Sequence, residues 1–212
     1  MLPEVLKLAE SPLLQGGALS AMLDFFKTIV AAGAPGLGHS DLLALLAHPV
    51  LGSKGGSIHK VLRFYHNKLT YIFLQAGRAN IAKCVASLVS HSAREAVVVV
   101  QQFMASLSAT QQDYSLTFSL LAIGEIGRGA DLSSLQDLKP AVLGAFGHTS
   151  EEVKSAASYA LGNLALGNLS EYLPFILHEI ETQPRRQYLL LHSLKEVISA
   201  VSTGELRHIT KN

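Results

Sequence analysis

A single periodicity constrains this chain more than its length or composition does. Three stretches read alike: Ile81-Ala-Lys-Cys-Val-Ala-Ser-Leu-Val89, Phe118-Ser-Leu-Leu-Ala-Ile-Gly-Glu-Ile126 and Ser155-Ala-Ala-Ser-Tyr-Ala-Leu-Gly-Asn-Leu164. Aligned on their apolar positions, Val85, Ile123 and Leu161 fall 38 residues apart, as do Leu88, Ile126 and Leu164. A fourth copy over Tyr188 to Ser199 fits with Leu194 and Val197 at a shorter interval of 33 residues. A unit of this length cannot bury its apolar face alone and must stack on its neighbours. The interval lies just below the roughly 40–47 residues of HEAT and armadillo units and above the roughly 33–34 of ankyrin and tetratricopeptide units. The expected fold class is therefore all-α, a HEAT-repeat α-solenoid of stacked antiparallel helix pairs, with about five repeats.

Each period carries a second apolar helix ahead of the registered one: Arg94 to Leu107, Leu135 to Phe146 and Glu171 to Ile180. The Val97 to Val100 run is β-branched but sits at helical spacing with Phe103 and Leu107, so it reads as helix. Upstream, helices are expected over Leu2 to Ala9, Gly17 to Ala32 and Asp41 to Ala47, the last ended by Pro49. Pro140, Gly147 and Gln183-Pro184 punctuate the helices without breaking them. Ser150 is a natural N-cap, with Glu151 and Glu152 favoured by the helix dipole in the first turn. Ala122, Gly124, Ala157, Ala160 and Gly162 are small enough to let antiparallel helices approach closely. A glycine inside a helix costs about 1 kcal/mol relative to alanine, so a packing gain must offset it.

The pattern fails between Leu51 and Arg78. Gly52 to Ser57 reads as a loop, and Val61 to Gly77 mixes aromatic and basic residues with no counterpart in any repeat. The expected organisation is thus one repeat and the start of the next over 1–50, a loop with an insertion over 51–78, and further repeats over 79–212. A valine codon begins with GT and Gln75-Ala-Gly accommodates a CAG, so Val61 to Gly77 reads as translated intron.

Seventeen basic and sixteen acidic residues nearly cancel, which removes the one-sided field that phosphate binding needs and with it nucleic acid as an expected partner. Charged residues are only 16% of the chain, against roughly 25% in an average soluble domain. That balance, with a start that reads as internal, points to a piece of something longer whose end helices expose apolar surface and self-associate. No apolar run approaches the roughly 20 residues of a membrane-spanning helix. The single cysteine, Cys84, shares a helical face with Ile81, Val85 and Leu88 and behaves as a small hydrophobe, consistent with a reducing compartment.

From Ser150 to Ser199 the sequence resembles a segment in the C-terminal half of the cullin-associated, neddylation-dissociated protein family. Leu13 to Phe25 and Asn80 to Ala86 resemble the same family in the same order, whereas the stretch from about Leu51 to Arg78 does not. In the family, His-Lys leads within a few residues to the Ile-Ala-Lys-Cys helix; here twenty residues separate His59-Lys60 from Ile81. The resemblance implies a long HEAT superhelix that binds unmodified cullin–RING ubiquitin ligases, excludes the substrate-receptor adaptor and covers the lysine that accepts the ubiquitin-like modifier. Such a protein promotes exchange of substrate receptors, works in cytoplasm and nucleus, and uses no cofactor, metal or small molecule.

Nine histidines show no zinc-ligand spacing, no G-x-S-x-G elbow occurs, and the carboxylate pairs Glu151/Glu152, at a helix start, and Glu179/Glu181 read as solvated charge, so no enzyme is expected. The residues expected to meet a partner are Glu151, Glu152, Lys154, Arg185 and Arg186, all at inter-helix turns or first turns. Arg185 and Arg186 at a helix start oppose the helix dipole, which a partner's acidic group would compensate. Two other readings stand beside this one: a HEAT-type transport adaptor, which an acidic inner groove would favour, and a truncated gene product without independent function.

Overall fold

The computed structural model describes residues 2–33, 37–51, 68–109 and 112–202. Among them every regular element is helical: ten α-helices and one 3-10 turn. They fall into two compact units, divided between His91 and Ser92.

The first unit holds α1 (Leu2–Ala9), α2 (Gly16–Ala32), α3 (His39–Leu51) and α4 (Lys68–Val89). Helix α4 is its spine and packs against the other three. Its face of Ile81, Ala82, Cys84, Val85 and Leu88 is buried, together with Ala9, Met22, Phe26, Leu42 and Leu46 from the helices around it. Two polar side chains fix the packing: Asn80 Nδ2 donates to the carbonyls of Ser11 and Leu14, both at 3.0 Å, and Ser87 Oγ donates to the Leu23 carbonyl at 2.7 Å. Gly33 ends α2 at φ +62°, where its N–H meets the Val30 carbonyl, a left-handed cap that a side chain resists. Helix α3 runs past Pro49, which was expected to end it. A proline inside a helix deletes one hydrogen bond and can kink the helix without ending it. Of the expected insertion, residues 52–67 lie outside the described residues. Residues 68–78 form the first half of α4, which continues unbroken through Gly77 and Arg78 into the Ile81 repeat.

The second unit holds α5 (Ala93–Ala109), α6 (Asp113–Gly129), α7 (Leu138–Ala145), α8 (Glu151–Gly167), α9 (Leu169–Thr182), the 3-10 turn Pro184–Arg186 and α10 (Gln187–Ser202). Helix α8 lies at the centre and packs against α6, α7, α9 and α10. The helix expected over Leu135 to Phe146 begins only at Leu138; Asp131 to Asp137 are turns, in which the Asp131 carboxylate accepts from the Ser133 N–H at 2.9 Å. Asn168 caps α9, its Oδ1 accepting from the Glu171 N–H at 3.1 Å. Ser150 does stand at the N-cap of α8, but its side chain makes no capping bond; its own N–H donates to His148 Nδ1 at 3.1 Å.

The registered positions Val85, Ile123, Leu161, Leu88, Ile126, Leu164 and Val197 are all buried. Leu194 is half-buried instead, and Ser193 stands in the core of α10.

A candidate protein-binding edge

Helices α6, α8 and α10 run side by side in the same direction. The contacts show it, because partners advance together along each pair: Glu125 with Tyr159 and Arg128 with Asn163, then Ser158 with Leu189 and Gly162 with Ser193. The small residues therefore serve a seam between neighbouring parallel helices, which corrects the expectation of antiparallel neighbours at these positions. A β-carbon on Gly124 would stand 2.9 Å from Ala160 Cα, and one on Gly162 would stand 2.6 Å from the Ser193 carbonyl oxygen. Both distances are below what real β-carbons tolerate, so these glycines give back in close packing what they lose in helix propensity.

A ladder of polar side chains runs along the seam. Tyr159 donates its hydroxyl hydrogen to Glu125 Oε1 at 2.6 Å, and Arg128 Nη1 donates to Asn163 Oδ1 at 3.0 Å. Asn163 Nδ2 turns back to the Tyr159 carbonyl at 3.2 Å, and Ser193 Oγ donates to the Ser158 carbonyl at 2.8 Å. Asn163 is buried, so it needs such partners. Burial pushes the Tyr159 phenol well above its ordinary range, and the charge of Glu125 adds to the shift.

The parallel arrangement puts the N-terminal ends of α8 and α10 at one edge. Glu151, Glu152 and Lys154 occupy the first turn of α8, while Arg185 and Arg186 occupy the turn that leads into α10. Lys154 Nζ pairs with Glu151 Oε1 at 2.7 Å across one helical turn. The five expected site residues thus form two groups of different charge on neighbouring helix starts: a carboxylate-rich first turn and a doubly basic one. Beyond Arg185 and Arg186 the exposed side of α10 continues through Tyr188, whose ring lies 4.7 Å from that of His192, to Lys195.

Glu125, Arg128, Tyr159 and Asn163 were not anticipated. Their signal was present as Glu-x-x-Arg on one helix and Tyr-x-x-x-Asn on the other, but pairing them requires knowing that α6 and α8 are parallel neighbours. Cys84 is buried, and burial pushes its thiol up to about 12. Among the described residues no group of three or more histidine, cysteine or carboxylate side chains is placed to hold a metal ion, and no helix is long and apolar enough to cross a membrane. One open hollow of about 330 Å³ lies between α5 and the turn before α7, lined by Gln101, Met104, Ser134, Leu135, Gln136 and Asp137.

No protein-family model matches the chain. It is 45% identical over 203 residues to Cullin-associated NEDD8-dissociated protein 1 of Drosophila melanogaster, and 39% identical over 199 residues to the protein of that name in Arabidopsis thaliana. It is also 31% identical over 189 residues to Cullin-associated NEDD8-dissociated protein 1, C-terminal part, of Emericella nidulans. These matches take in 96%, 93% and 88% of the chain, but only 16%, 15% and 17% of the respective relatives.

Proposed function

Because the chain is a homologue of the cullin-associated NEDD8-dissociated proteins over about a sixth of their length, we propose that it serves as a non-catalytic HEAT-repeat scaffold for cullin–RING ubiquitin ligases. The observation that carries this reading is identity sustained over 96% of the chain to a protein named for cullin association. In this reading α6, α8 and α10 belong to successive repeats of one solenoid, and the partner is recognised by shape and area, with no bond made or broken. The unmodified cullin is the form bound, and the larger protein promotes exchange of substrate receptors in the cytoplasm and nucleus.

The edge formed by Glu151, Glu152, Lys154, Arg185 and Arg186 is the proposed contact. Charges set at helix starts steer association and fix register more than they add affinity. Residues 51–78 are proposed as an insertion relative to the repeats. Transcript reads that join Lys60 directly to Arg78 would support an intron origin for Val61 to Gly77, and uninterrupted reads would exclude it.

A pull-down with unmodified and NEDD8-conjugated cullin–RING complexes tests the function. Selective capture of the unmodified form is expected, weakened about tenfold by Arg185→Ala with Arg186→Ala. Equal capture of both forms overturns the reading, and capture that ignores the arginines moves the contact elsewhere on the chain.

A further inference from the structure

Lys139 is the second residue of α7, a position where positive charge opposes the helix dipole. Nothing in its own helix accounts for a cation there, yet its side chain is only 24% exposed, unusual burial for a lysine. The explanation lies on α9. The ammonium pairs with Glu171 Oε1 and lies 5.1 Å from the centre of the Tyr172 ring and 4.9 Å from that of Phe175. A carboxylate and two aromatic faces from one helix thus converge on a single charge from another, a geometry in which each interaction depends on that charge.

The α9 side of the contact is built to stay still. Asn168 holds the Glu171 N–H at the start of α9 and also hydrogen-bonds through its side chain to Asp131, in the turns before α7. Tyr172 is 1% exposed, so its ring cannot swing away. Helices α6 and α8 meet at Gly124 and Ala160, and α8 and α10 at Gly162 and Ser193, all short separations, but α7 and α9 meet through a long side chain that bears a charge.

We propose that Lys139 is a charge-operated strap: its ammonium fixes the separation of α7 from α9, and removing that charge frees these two helices while the α6–α8 seam stays closed. The angle between successive helix pairs in this unit then depends on one ionised side chain.

Hydrogen exchange on the full chain tests this with three variants. Lys139→Met keeps the stem and removes the charge, and is expected to speed exchange in α7 and the first turns of α9 by about tenfold or more, with α6 and α8 unchanged. Lys139→Arg keeps the charge and is expected to stay within about twofold of the parent. Glu171→Gln keeps the shape of the partner and is expected to give a smaller rise in the same segments. The proposal is overturned if Lys139→Met leaves α7 and α9 as protected as before. It is equally overturned if Met and Arg loosen them alike, if the rise spreads through α6 and α8, or if Glu171→Gln changes nothing.

Discussion

Helices α8 and α10 descend from the same sequence pattern but live in different surroundings. Helix α8 is covered by four neighbours, and from Ala156 to Leu166 every residue but Tyr159 is buried. Helix α10 packs on α8 and α9 and leaves Tyr188 71%, Ile198 59% and Leu191 49% exposed. The sides that face onward along the series differ in kind as well: α8 offers Ser158 and Gly162 to α10, whereas the open side of α10 offers large side chains. Burial in such an array is set by what lies on either side of a helix and much less by the helix's own composition.

Substitutions that separate tight seam from open face break this comparison most sharply. Gly162→Ala is expected to destabilise the chain by about 3 kcal/mol in urea unfolding, since the new carbon meets the Ser193 carbonyl and the Glu196 side chain. Gly144→Ala in α7 has open space around the new carbon and is expected to stabilise by about 0.5–1 kcal/mol. Equal signs for the two would mean that helix propensity, and not seam packing, governs both positions.

The polar ladder comes next. Asn163→Leu removes the bond from the Arg128 guanidinium and the return bond to the Tyr159 carbonyl, and is expected to cost about 2 kcal/mol by the same measurement. The buried phenols sharpen the contrast through pH. Tyr172 is pushed up to about 12 by burial and then by the charges of Asp131 and Glu171, and Tyr159 also lies above its ordinary value of 10. Raised folded-state values mean that this stability is complete below about pH 10 and is lost as pH climbs through the folded-state values. Absorbance from these two tyrosinates should therefore appear together with unfolding as the pH climbs past about 10. The smallest effect is expected on the open face. Leu191→Lys with Ile198→Lys should change stability by less than about 0.5 kcal/mol yet reduce self-association in light scattering at tens of micromolar. A parent chain that is already a monodisperse monomer would show that this face does not drive association.

Much of the fold was legible because burial writes itself into spacing. The 38-residue register picked out Val85, Ile123 and Leu161, and all three are core. What failed to read depends on neighbours. Small residues announced close packing, but whether the approaching helix runs parallel or antiparallel is a property of the stack. The start of α7 was misplaced because Leu132 and Leu138 are both buried, so the apolar pattern runs straight through the turns between them. Helix α3 outlasts Pro49, because a proline deletes one backbone hydrogen bond without having to end the helix. Of the candidate edge, the charges of Glu151, Glu152, Lys154, Arg185 and Arg186 were readable at helix starts, but their gathering at one end was not. Lys139 gave no signal at all, since its partners are 32 and more residues away.

The lone cysteine turns the first unit into its own clock. Cys84 is fully buried on α4 with its thiol held in the protonated, unreactive form at neutral pH, so a thiol reagent reaches it only when the packing around α4 opens. With a single sulfhydryl in the whole chain, the labelling rate counts those openings one by one.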